Sequence, residues 1–294
     1  MRDSCDTEPS LVVVSGGREE ALESIDIILG FLLTDIIINQ KSIDTFERLR
    51  DGSLGSSCFR FWLNVETGSE KAVALAYSRG GDPVLVAGTS RASLAFWLTV
   101  LSQDREFQGE VSSLELMFQS ARFTHYTVNR KKILMSCTAL TIKQPHHTQL
   151  LEYEVRIGQE TDLDQLTQMQ FEFAAAVEQV PISSVTLMMK RGTYYIACPT
   201  GTDQIVSMVY KTNPNSSVSR ITFVFTRESH RGKGLSRRLM FEATKSALDK
   251  CQACTLFVDP ANHAANSTYA SVGFMQVAQY QIRKLGPILS KPPV

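Results

Sequence analysis

Between Arg220 and Arg238 the chain reads RITFVFTRESHRGKGLSRR. An apolar run enters a loop holding Gly232 and Gly234, and the loop opens onto Leu235, Leu239, Ala243 and Ala247, the i, i+4 stripe of a helix expected from Leu235 to Lys250. Such a loop is suited to binding an anion. The first turn of a helix carries unpaired N–H groups and the positive end of the helix dipole. Glycines let the backbone approach a phosphate closely, and Arg231 and Lys233 add positive charge. The G-x-x-x-x-G-K-[ST] spacing of a nucleotide triphosphatase is absent. So is the three-glycine fingerprint of a dinucleotide site.

A second constellation follows the next expected strand, Thr255–Val258. In Asp259-Pro260-Ala261-Asn262-His263-Ala264-Ala265-Asn266-Ser267-Thr268-Tyr269, the residues Asn262, Ala265, Asn266 and Tyr269 recur at helical spacing and share one face. A polar-to-aromatic face beside an anion loop reads as the wall of a cleft. Two plainer roles stand beside this one: Asn262 is a good N-cap for its helix, and Tyr269 suits an apolar core. Cys251 and Cys254 form a single C-x-x-C without a second ligand pair, and read as two half-buried thiols. His146 and His147 lie in a linker-like stretch. No metal site is expected.

The elements that must position these residues are legible along the C-terminal half. A strand at Tyr153–Ile157 is followed by a helix capped by Asp162 and running to Gln179, then by a second helical piece over Ser184–Lys190. Strands are expected at Thr193–Cys198, Gln204–Lys211 and Arg220–Thr226, with turn residues at Gly201–Asp203 and Asn213–Ser216. After the glycine loop come the helix from Leu235, the strand Thr255–Val258, a helix Asn262–Val272 stopped by Gly273, and a last strand Phe274–Lys284. The order β-α-α-β-β-β-loop-α-β-α-β is that of an α/β protein with a mixed sheet. The N-terminal half partly repeats it. Helical stretches at Glu19–Leu29 and Thr34–Leu49 precede strands at Phe59–Val65, Ala72–Tyr77 and Pro83–Ala87, a turn at Gly88–Ser90, helices at Ala92–Leu101 and Ser112–Ala121, and a strand at Lys132–Ile142. The polar stretch Gln144–Leu150 is the expected boundary, giving domains 1–148 and 152–294.

Bulk properties narrow the chemistry. Lys+Arg and Asp+Glu are 30 each, so a general nucleic-acid binder is disfavoured and any anion site is local. The apolar stretch Ile25–Ile38 contains Asp26 and Asp35 and is shorter than the roughly 20 residues of a membrane span. The N-terminus has no secretory pattern. The six cysteines are scattered, which points to a reducing, cytoplasmic compartment.

Taken together, the two motifs resemble those of the GCN5-related N-acetyltransferases (GNAT). The family's pyrophosphate loop is [RQ]-x-x-G-x-[GA]; here it is Arg231-Gly232-Lys233-Gly234-Leu235-Ser236, with Ser at the last position. The family's second motif, N-x-x-A-x-x-x-Y-x-x-x-G-[FY], is met by Asn262, Ala265, Tyr269, Gly273 and Phe274. The resemblance covers Glu152–Lys284. The whole chain is similar to two-domain members with a degenerate N-terminal half, where Val86–Ser93 lacks paired glycines and no CoA site is expected.

The resemblance implies a GNAT acyl-CoA N-acyltransferase fold, in tandem, using acetyl-CoA as co-substrate without a metal. It implies that the backbone of Val224, Phe225 and Thr226 pairs with the pantetheine arm, and that an N–H near Phe225 stabilises the oxyanion. Arg231, Gly232, Lys233, Gly234, Leu235 and Ser236 would bind the pyrophosphate, Asn262 the pantetheine side, and Tyr269 would protonate the departing thiolate. Glu228 sits at the loop entry, His230 reads as a packing or surface residue, and Ile221–Phe225 has no carboxylate, so no general base is identified. The implied reaction is acyl transfer to an unidentified amine. A CoA-binding sensor without turnover is the alternative; a nucleic-acid or membrane partner is not expected.

Overall fold

The computed structural model describes residues 11–52, 54, 59–66, 71–79, 82–88, 92–103, 106–121, 126–144, 152–177, 184–213 and 217–285. The His146-His147 pair, residues 145–150 of the expected boundary, residues 214–216 of the expected turn and residues 89–91 lie outside them. In chain order the elements are β1 (Leu11–Gly16), α1 (Arg18–Glu23), α2 (Ile25–Leu32), α3 (Gln40–Arg50), β2 (Phe59–Glu66), β3 (Lys71–Arg79), β4 (Val84–Gly88), α4 (Leu94–Gln103), β5 (Glu106–Glu110), α5 (Val111–Ser120) and β6 (Tyr126–Thr138). They continue with β7 (Tyr153–Ile157), α6 (Leu163–Ala176), α7 (Val185–Arg191), β8 (Gly192–Pro199), β9 (Ser207–Thr212), β10 (Val218–Thr226), α8 (Leu235–Leu248), β11 (Ala253–Val258), α9 (His263–Val272) and β12 (Met275–Leu285). The expected order of the C-terminal half is present element for element.

Two compact units divide the chain: Met1–Lys132 with Ala278–Val294, and Ile133–Val277. In the first, β1 to β4 form antiparallel neighbours, β5 lies parallel to β4, and Tyr280–Lys284 of β12 pairs antiparallel with Glu106–Glu110. Helix α2 accounts for the first half of the apolar stretch at Ile25–Ile38, with Ile28 and Leu32 fully buried against β2 and β3. Among the described residues no helix is long and apolar enough to cross a membrane. In the second unit the order is β6-β11-β10-β9-β8-β7, with β10 and β11 parallel and the other pairs antiparallel. Helices α8 and α9 cover one face of this sheet and α6 and α7 the other, each over its own apolar core.

The compact units divide at residue 132, where Ile133–Thr138 begins its pairing with β11, and the strand from Ala278 pairs with β5. Other expectations are corrected. Strand β6 starts at Tyr126 and ends at Thr138. Strands β1 and β5 have no counterpart in the sequence reading; Glu-Phe-Gln-Gly-Glu in β5 is too short and polar to show a period. Asp162 stands at the head of α6 without capping it. Its carboxylate accepts from the Gln159 N–H at 2.7 Å and from both Arg156 Nη atoms at 2.6 and 2.8 Å.

Candidate functional site

Strand β10 changes partner along its length. Val218–Arg220 lies parallel to Ala253–Thr255, and that ladder ends there. Ile221–Thr226 continues along β9 with a bulge between Thr222 and Phe225. Phe223 in the bulge has φ +52°, the one non-glycine positive φ among the described residues. A left-handed phenylalanine costs roughly 1–2 kcal/mol. Packing offsets this: the Phe223 ring meets Phe173 at 5.4 Å and Tyr210 at 6.4 Å between centroids.

The bulge sets which backbone groups face outward. The Arg227 N–H donates to the Val206 carbonyl at 2.9 Å, and the Ser207 hydroxyl donates to the Phe225 carbonyl at 3.1 Å. Polar groups of alternate strand residues point to opposite edges. The Phe225 N–H therefore faces β9, while the Val224 carbonyl and the Thr226 N–H face the edge where the β11 ladder has ended. Side chains divide in the same way. Val224 packs in the core that holds Tyr269 and Leu235, and Phe223 and Phe225 pack on the α6 side.

The strand leads through a single turn at Glu228–His230 into the glycine loop. Gly232 has φ +77° and Gly234, the N-cap of α8, has φ +81°. Both lie where L side chains are strained, which is why glycines stand there. The N–H groups of Gly232, Lys233, Gly234, Leu235 and Ser236 have no acceptor among the described residues. They form a run of free donors at the head of a 14-residue helix. The Arg231 Nε–H donates to the Thr226 carbonyl at 3.1 Å, pinning the loop to the strand end. Lys233 turns from the loop to Tyr153: its Nζ donates to the phenol oxygen at 2.8 Å and lies 5.3 Å from the ring centroid. The bond to Tyr153 holds the Lys233 ammonium above its ordinary range. The same phenol shares a hydrogen bond of 2.9 Å with His230 Nδ1, so His230 serves the loop's packing.

On α9, the Asn262 Oδ1 accepts from the Ala265 N–H at 3.0 Å, so the N-cap role is realised. Asn266 Nδ2 donates to the Asp259 and Asn262 carbonyls at 3.0 and 2.8 Å, holding the turn before the helix. Tyr269 is 8% exposed within the core of α8, α9 and β11. Its hydroxyl has no partner among the described residues, and burial pushes it up to about 12. Val224, Leu235 and Tyr269 thus meet in one core, whereas Asn262 stands exposed at its rim.

A cleft of about 640 Å³ opens on the α6 side, lined by Glu172, Ala176, Phe225, Arg227, Glu228, Ser229 and Arg231. Arg227 and Glu172 close it on one side with a paired contact, Nε–Oε2 3.0 Å and Nη2–Oε1 3.1 Å. The pair spans 55 residues, and no local pattern announces it. Cys251 is half-buried and Cys254 buried, close to the sequence reading, and the described residues contain no cluster suited to a metal.

Residues 163–286 match the family model of an acetyltransferase (GNAT) domain. No curated protein matches the chain in sequence. Solved structures do match it in fold. A GCN5-related N-acetyltransferase from Sphaerobacter thermophilus is 16% identical over 95% of this chain and 97% of its own, with a TM-score of 0.64. A tandem GNAT protein from the clavulanic acid biosynthesis pathway is 14% identical over 95% and 99%, with a TM-score of 0.62. A Drosophila protein is 11% identical over 95% and 99%, with a TM-score of 0.64.

Proposed function

We propose, from the premise that residues 163–286 form a GNAT acetyltransferase domain within a GNAT fold, that this protein transfers an acyl group, acetyl in the simplest case, from acyl-CoA to a primary amine. The observation that carries this reading is the junction of two features. A strand edge at Val224–Thr226 without a ladder partner, its Thr226 carbonyl held by Arg231, ends beside five free N–H groups at the head of α8. The first can pair with an amide-bearing arm, and the second can hold a diphosphate through N–H donors and the helix dipole. In the reaction the amine nitrogen attacks the thioester carbonyl carbon, the C–N bond forms and the C–S bond breaks. The acceptor ammonium loses two protons, one ending on the CoA sulfur and one in solvent. The Thr226 N–H is the donor best directed at the developing oxyanion.

Tyr269 stays protonated at neutral pH, as a proton donor must. A second reading, an acyl-CoA sensor without turnover, uses the same strand edge and loop and needs no proton donor. Residues 1–148 remain in this proposal a GNAT-like half without a CoA site. The hydroxyl of Ser113 both accepts from the Gly88 N–H at 3.3 Å and donates to its carbonyl at 3.4 Å, filling the end of β4. A cytoplasmic location completes the reading.

Calorimetry of the full chain with acetyl-CoA tests it. Wild type binds, and Gly234→Val does not, because valine at φ +81° is strained and blocks approach to the N–H groups. Lys233→Ala binds almost as well, since its ammonium is engaged by Tyr153. Absence of binding by wild type would overturn the proposal. Thiol release with an amine panel then separates enzyme from sensor.

A further inference from the structure

The cleft at the end of β10 is unevenly neutralised, and this bears on what the acceptor is. Of its four charged residues, Glu172 and Arg227 satisfy each other through two hydrogen bonds. Arg231 gives its Nε–H to the Thr226 carbonyl, which holds its guanidinium at the strand edge and loop. The Glu228 carboxylate has neither hydrogen bond nor ion pair among the described residues. Apolar material stands beside it. Phe225 lines the same cleft, with the Phe173 ring 6.2 Å from it and Phe223 packed behind Phe173 at 5.4 Å. A site offering one uncompensated carboxylate and an aromatic wall attracts an organic cation, through charge and through the ring face. Arg231 lines the same cleft with its Nε–H engaged by Thr226, and the acyltransfer reading assigns its guanidinium to the cofactor's diphosphate, which leaves no cation for a second anionic group.

We propose that the acceptor is a primary alkylammonium with an aromatic or aliphatic body and no carboxylate, its ammonium bound by Glu228 and its body resting on Phe225. The inference rests on the acyltransfer reading above. Glu228 is here a binding residue for substrate, and the volume of about 640 Å³ accommodates a small molecule.

The test uses the full chain in two steps. Acetyl-CoA binding is first measured by calorimetry; its absence overturns the acyltransfer reading and this inference with it. With binding established, direct binding and CoA release are measured with 2-phenylethylamine, spermidine, glutamate and phenylalanine. The expected result is that 2-phenylethylamine binds the acetyl-CoA complex and is acetylated with the highest kcat/KM. Glu228→Gln should raise its KM by tenfold or more, with kcat and acetyl-CoA affinity within about twofold, and Glu228→Asp should recover most of the loss. Phe225→Ala should weaken 2-phenylethylamine more than spermidine. Preference for glutamate or phenylalanine, no binding of 2-phenylethylamine to the acetyl-CoA complex, or an unchanged KM in Glu228→Gln would overturn the inference and leave the acyltransfer reading standing.

Discussion

At the scale of single residues, Tyr269 joins stability and chemistry in one hydroxyl. Burial raises it from the ordinary 10 to about 12. Between those values the folded chain keeps a proton that the unfolded chain has released. The resulting stability is complete below pH 10 and is lost as pH rises toward 12. Tyr269→Phe keeps the ring and removes the titration. Denaturant unfolding at pH 9 and pH 12 should therefore show wild type losing about 2 kcal/mol more than the variant; equal losses would mean that the hydroxyl ionises freely. If the hydroxyl also acts on the departing sulfur, kcat falls roughly 10²-fold in the variant, while acetyl-CoA affinity stays near that of wild type. A sensor would show the alkaline effect alone. The helical spacing that sets Tyr269 with Asn262 and Gly273 was legible in the sequence, and so was its fitness for an apolar core. Its unpartnered hydroxyl was not, since that depends on how α8 and α9 meet over β11.

At the scale of elements, the cleft depends on where α6 begins, since Glu172 rides on that helix. The start is held by Asp162, nearly buried, against Arg156 of β7. The guanidinium hydrogen bonds hold the Asp162 carboxyl below its ordinary range. The folded state therefore binds fewer protons than the unfolded one around pH 4. This stabilisation is whole above about 3.9 and fades as pH falls through the lower folded value. Asp162→Asn should cost about 1.5 kcal/mol at pH 6, because it weakens the paired hydrogen bonds to Arg156, whose side chain is a quarter exposed. The gap to wild type should shrink steadily between pH 5 and pH 2; a pH-independent gap in urea unfolding would show that the carboxylate's charge contributes nothing. The sequence showed Asp162 as a helix start and missed its partner, because cap chemistry is local and the Arg156 contact needs β7 laid beside the turn. The bulge at Phe223 escaped for a related reason. Strand bulges that need a positive φ are usually signalled by glycine, and here the aromatic packing of Phe173 and Tyr210 substitutes for it.

At the scale of the whole molecule, the chain crosses between its compact units twice. Residues 133–138 lie in the second unit although they continue a strand begun at Tyr126, and the segment from Ala278 belongs to the first unit although its strand starts just after α9. Nothing in the local sequence marks either crossing. The patterns of β6 and β12 fit a strand equally well in either place, so the polar Gln144–Leu150 stretch was the natural boundary to read. A cut within residues 145–151 is therefore expected to leave neither fragment self-sufficient. The fragment before the cut carries Ile133–Thr138, the strand that pairs with β11 from Ala253 to Val258, and the fragment after it carries the strand that covers β5. Each fragment thus completes a sheet of the other. A protease site placed at residues 146–150 and cleaved in the folded protein should leave both fragments eluting together in gel filtration, with acetyl-CoA binding retained. Residues 152–294 produced alone should aggregate or stay unfolded, because the edge of β11 is bare without β6. Mixing the two fragments under refolding conditions should restore binding. Recovery of a soluble, acetyl-CoA-binding protein from residues 152–294 alone would show instead that the β6 strand is dispensable and that the domain ends where the polar stretch suggested.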